Sequence, residues 1–181
     1  SPKFVREICQ SSSKPIPEVF DKSGNYNWQN FDQFLRIYEI VTNLFLEEKS
    51  FEGLIRHVLD KQFKENIIYA EFFLGPHLRS DRLSDRWERT LSIAKNVADE
   101  YEKKYGLYSY FIIVCIRHLG PEKALEASKF ATRVKSKKVV GFGMAGDEKK
   151  FNVSDFTESF NFARKSGLGI TAHAGELCGA K

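Results

Sequence analysis

The chain has 181 residues, 42% of them hydrophobic and 14% aromatic, with 28 Lys and Arg against 24 Asp and Glu for a net charge of +4. That is enough for a single folded domain over residues 1–181 with a sizeable core. No apolar run approaches the ~20 residues a membrane helix needs, so no membrane partner is expected. Cys9, Cys115 and Cys178 are too scattered for a disulfide framework or a zinc finger.

The N-terminal stretch "SPKFVREICQ" lacks the hydrophobic region of a signal peptide, and a cytoplasmic location is the simplest expectation. A loop rich in Ser, Pro, Gly and Asn follows from Ser11 to Asn30. "QNFDQFLRIYEIVTNLFLEE" and "SFEGLIRHVLDKQFKE" then read as two amphipathic helices. Four nearly continuous apolar runs read as buried strands: "NIIYAEFFL" from Asn66, "YSYFIIVCI" from Tyr108, "VVGFGMA" from Val139 and "GITAHA" from Gly169.

Helical patterns separate these runs. Trp87, Leu91, Ala94, Ala98 and Tyr101 recur at helical spacing before a stop at Gly106. A second helix opens at Pro121 and runs through Val134, and a third has Ser154 as its N-cap and stops before Gly167. The cluster "RVKSKK" sits where a helix should end, and cations suit that end of the helix dipole, so no nucleic-acid partner is expected.

Strand and helix alternate, which predicts parallel strands joined by helical crossovers. "GFGMAG" from Gly141 to Gly146 matches a dinucleotide fingerprint, but Asp147 and Glu148 follow where a helix should open toward a pyrophosphate. The strands instead run out into His77, into Arg117 and His118, into Asp147 and Glu148, and into His173 and Glu176. Polar groups at the C-terminal end of every strand predict an α/β fold of the (β/α)8 barrel type, present here in part.

"HAGE" puts His173 at a strand end with Glu176 three residues on, and Ala174 and Gly175 leave room for a ligand and a tight turn. An isolated H-x-x-E equally describes a core histidine with a solvent-facing glutamate. A catalytic zinc takes three protein ligands, and by position His77 and His118 are the candidates to join His173. They serve as well as hydrogen-bonding supports of a barrel mouth, and Arg117 could pair with a carboxylate such as Glu71.

"YAEFFLGPHL", "IIVCIRH", "VVGFGMAGDE" and "GLGITAHAGE" occur in an order and spacing that resemble the adenosine deaminase family of zinc amidohydrolases, bacterial members above all. The resemblance covers nearly the whole chain. It implies Zn2+ as cofactor with His173 as one ligand, Glu176 as proton donor to N1 of a purine, and attack of an activated water at C6 of a nucleoside substrate such as adenosine. It further implies that Gly146 offers its backbone N–H to the purine's far ring edge. Phe31, Phe34, Leu35 and Tyr38 would form an apolar lid, though the same four fit a helix core.

The family's H-x-H pair, its later histidine and its Asp-Asp pair are not in the chain, and many relatives hold aspartate and arginine where Gly143 and Phe73 stand. The 181 residues are therefore expected to be a portion of a barrel, inactive alone. Adenine or a modified adenosine as substrate, and a non-catalytic nucleoside-binding homologue, are the alternatives. Oligomeric state is not readable from these residues.

Overall fold

Three helices precede an alternation of parallel strands and helices along residues 1–75, 85–134 and 136–179, which the computed structural model describes. These residues form two compact units, Ser1–Ile55 and Arg56–Lys181.

In the first unit, helix α1 (Pro2–Ser11) opens with Pro at a position that needs no N–H, and the Ser1 hydroxyl accepts the Phe4 N–H. Its apolar side buries Phe4, Val5 and Cys9, and the Phe4 ring stacks on Phe45 at 5.9 Å. The following loop is held by side chains: Asp21 accepts the Asn25 N–H, while Arg6 lies over the Phe20 ring and donates to the Gly24 carbonyl. Helix α2 (Phe31–Asn43) is capped by Asn30, whose side chain accepts the Gln33 N–H at 3.0 Å. Helix α3 (Glu48–Lys64) begins in this unit and ends in the second.

The second unit continues through β1 (Tyr69–Leu74), α4 (Asp85–Tyr105), β2 (Tyr108–Ile116), α5 (Pro121–Arg133), β3 (Val139–Ala145), α6 (Thr157–Lys165) and β4 (Gly169–Ala172). The strands form one sheet in the order β1-β2-β3-β4, every pair parallel. Sequential parallel neighbours joined by helices are half the strand complement of an eight-stranded β/α barrel.

Alternation along the strands sorts their side chains. Phe111, Ile113, Cys115, Phe142 and Met144 are buried, and Phe142 meets Phe160 of α6 edge-on at 5.1 Å, which marks their face as the one covered by helices. Ile112, Val114 and Ile116 form an apolar cluster on the other face with Val140 and Ala145. Trp87 of α4 packs edge-on against Phe130 of α5 at 5.8 Å, closing the helical layer.

Several element ends differ from the sequence expectation. The third helix is capped two residues earlier than Ser154: Asn152 and Asp155 form a reciprocal capping box around a short 3₁₀ turn (Val153–Phe156) that leads into α6. The first strand begins at Tyr69 rather than Asn66, whose φ of 58° breaks extended backbone. Two basic residues of the "RVKSKK" cluster are used internally. Arg133 pairs with Glu88 at 3.0 Å, and the largely buried Lys138 pairs with Asp99 and Glu102 beneath the Tyr110 ring.

Candidate active site

The curvature of the sheet creates the site. In a flat sheet β1 and β4 would stand about 14 Å apart, three strand spacings. Yet the rings of Phe73, near the end of β1, and His173, just past β4, have centroids 5.3 Å apart. The face carrying both is therefore concave.

Two glycines allow that curl. Phe73 is in register with Ile112, and Ile112 with Gly141, while Gly143 is in register with Thr171. A Cβ on Gly141 would meet the Ile112 side chain at 3.2 Å, and one on Gly143 would meet Thr171 Cγ2 at 3.1 Å. With no side chain at these two positions of β3, the flanking strands fold over it. The concave face is open, with Tyr69, Phe73 and Tyr108 each about half exposed.

At the C-terminal end of β3 the chain turns through Gly146 at φ +102°, a conformation that suits glycine. A Cβ there would lie 2.9 Å from His118 Nδ1, and that nitrogen accepts the Asp147 N–H at 3.3 Å. The bare position thus follows first from the packing of His118. Arg117 donates to the carbonyls of Lys150 and Phe151, both at 2.9 Å, and so clips the 147–151 turn onto the end of β2. It does not pair with Glu71, which instead accepts the Tyr69 hydroxyl at 2.6 Å. The turn after Gly146 carries no helix start, so "GFGMAG" lacks the dinucleotide-binding context.

The His173 N–H donates to the Met144 carbonyl at 2.8 Å and adds one rung to the β3–β4 ladder before the chain leaves the sheet. Gly175 at φ +81° makes the tight turn expected there, and the His173 and Glu176 side chains are both exposed. Beneath the turn lies a residue that the sequence reading placed at a strand end without a role. Glu148 is 8% exposed and accepts the Gly175 N–H at 2.8 Å through Oε1, and those of Leu177 at 2.7 Å and Cys178 at 3.2 Å through Oε2. These N–H groups, that of Leu177 first, hold its carboxyl below the ordinary range against the opposing effect of burial. The available clue was the acid of "AGDE", an otherwise costly residue to bury.

His77 lies outside the described residues. Among the described residues no three of His, Cys, Asp and Glu come together to hold a metal. Catalytic zinc takes three protein ligands, so the described residues do not make such a site by themselves; of the trio His77, His118 and His173, only the last two are among them. Phe31, Phe34, Leu35 and Tyr38 lie on α2 in the first unit. None of them is buried, and Phe34 contacts the rings of Trp28, Phe31 and Tyr38 at 5.4 to 6.0 Å.

The family model described as adenosine deaminase matches residues 1–181. The chain belongs to the adenosine deaminase family. It is 36% identical over 182 residues to the adenine deaminase of Chelativorans sp. (strain BNC1), an alignment covering 100% of this chain and 55% of that protein. The crystal structure of adenine deaminase from Arthrobacter aurescens superposes with a TM-score of 0.82 at 19% identity, covering 98% of this chain and 54% of that one. An amidohydrolase from Burkholderia ambifaria, crystallised with bound Zn, superposes with a TM-score of 0.75 at 17% identity over 97% of this chain and 48% of that one. The chain spans about half the length of the curated relatives it matches. No described helix is long and apolar enough to cross a membrane.

Proposed function

We infer that this chain carries the purine-facing part of a zinc-dependent deaminase acting on a 6-aminopurine, with His173 as one metal ligand and Glu176 as the proton donor. The observation that carries the reading is the approach of His173 to Phe73 over the concave face, with the Glu176 turn beside it. The relatives' names favour free adenine over the nucleoside that the sequence motifs suggested.

When bound, zinc supplies an activated water for attack at C6 of the purine. The remaining tasks fall to this chain. Glu176 delivers a proton to N1 of the ring, which makes C6 more electrophilic as the amino group leaves as ammonia. Gly146 offers its N–H to the far edge of the ring. Ala174 and Gly175 let the ring lie against the backbone. The other zinc ligands come from outside the described residues.

The test compares ammonia release from adenine and adenosine by a protein that joins this chain to the rest of its barrel. Turnover of adenine above adenosine supports the reading; turnover of neither, by zinc-loaded and folded protein, ends it. Glu176→Gln should abolish turnover while zinc, measured by elemental analysis, stays bound. His173→Ala should lose the zinc as well. The 181 residues alone should retain no stoichiometric zinc and release no ammonia.

A further inference from the structure

We propose that Glu148 is a positioning residue whose carboxylate fixes the backbone of the 175–178 turn and so sets the place from which Glu176 acts. The inference rests on the deaminase reading for what Glu176 does, and on geometry for how it is held.

Three features support it. First, strand β4 spans only Gly169–Ala172, and after the His173 rung the sheet no longer holds the chain. Second, the N–H groups of Gly175, Leu177 and Cys178 converge on one carboxylate, flanking Glu176 on both sides. The left-handed Gly175 aims successive N–H groups inward, which makes an anion-binding nest filled here from within the chain. Third, the anchor is itself anchored. Lys149 N–H donates to Asp147 Oδ1 at 2.9 Å, Asp147 N–H to His118, and Arg117 to the carbonyls of Lys150 and Phe151. A continuous set of contacts therefore runs from the end of β2 through the end of β3 to the turn after β4.

A carboxylate suits this place better than any neutral group. It accepts on both oxygens and offers no hydrogen, whereas an amide would turn an NH₂ toward at least one of the three donors. Glu148→Gln keeps the size of the side chain and removes that property.

The experiment uses the isotopically labelled 181-residue chain and nuclear magnetic resonance. In the wild type, scalar couplings should be detected across the hydrogen bonds from the amides of Gly175 and Leu177 to the Glu148 carboxyl carbon, and both amides should exchange slowly. In Glu148→Gln both amides should lose those couplings and exchange at least tenfold faster, with Ile113 and Val114 in β2 unchanged. Absence of the couplings in the wild type overturns the proposal without recourse to any variant. Unchanged exchange at Gly175 and Leu177 in Glu148→Gln, or an equal acceleration at Ile113 and Val114, also overturns it. Failure of the completed protein to turn over a purine would remove the deaminase reading and leave these amide results as they are.

Discussion

His118 Nδ1 lies 2.9 Å from the point that a Cβ on residue 146 would occupy, while accepting the N–H of Asp147. The two residues therefore exclude any side chain at the mouth of β3 whether or not a substrate is bound. Gly146→Ala should destabilise the chain by about 2–4 kcal/mol, from backbone strain at φ +102° together with the clash. Urea unfolding would report it as a lowered midpoint at unchanged slope. Adding His118→Ala should recover part of the loss, since it removes the clash and leaves the strain. A single-variant cost below about 0.5 kcal/mol, the scale of neutral surface changes, would contradict the close approach.

Properties that repeat along the chain were the ones legible in the sequence. The β2 and β3 runs match their strands from end to end, and Pro121 and Gly106 mark helix ends because proline and glycine act through their own backbone. Helix α1, absent from the sequence expectation, is equally encoded in Ser1, Pro2 and the spacing of Phe4, Val5, Ile8 and Cys9. The placement of Ser154 as a cap missed because Asn152 also has a cap's side chain and, with Asp155 three residues on, closes a box that a lone serine does not.

The candidate site was legible only where residue type alone decides. His173 and Glu176 announce themselves by chemistry. The curl over Gly141 and Gly143, and the burial of Glu148 under a turn 27 residues away, depend on which strands become neighbours. Arg117 shows the limit: a cation beside a predicted strand invites a carboxylate partner, but its hydrogen bonds go to two backbone carbonyls of the neighbouring turn.

The cysteines separate by environment. Cys115 is fully buried in the helix-facing side of β2, and burial pushes its thiol up to about 12, so almost none is thiolate at neutral pH. Cys9 is also fully buried, on the apolar side of α1, whereas Cys178 is partly exposed at the end of the turn held by Glu148. Brief alkylation of the folded chain at neutral pH should label Cys178 alone, and denaturant should expose all three thiols to the reagent. Peptide mass spectrometry reads the order, and early labelling of Cys115 would show that β2 is not covered as described.

Tyr101 makes stability depend on alkaline pH in a direction that can be worked out. Its hydroxyl donates to Asp60 Oδ1 at 2.5 Å, with the ring 5% exposed between α3 and α4. Burial first, then the hydrogen bond to Asp60, raise the phenol above its ordinary value of 10.0. The folded chain thus keeps the proton to a higher pH than the unfolded chain does. Its stabilising contribution is complete below pH ~10 and is lost as pH rises from there through the folded value. Lys138, which burial lowers but its partners Glu102 and Asp99 raise above its ordinary value, adds a loss of the same sign. The difference between wild type and Tyr101→Phe isolates the tyrosine. At pH 7 the variant should be less stable by about 1.5–3 kcal/mol, the range for a hydrogen bond to a charged group. The gap between the two proteins should narrow as pH is raised beyond 10. A gap that stays constant from pH 7 to 11 in chemical unfolding would mean that Tyr101 ionises alike in both states.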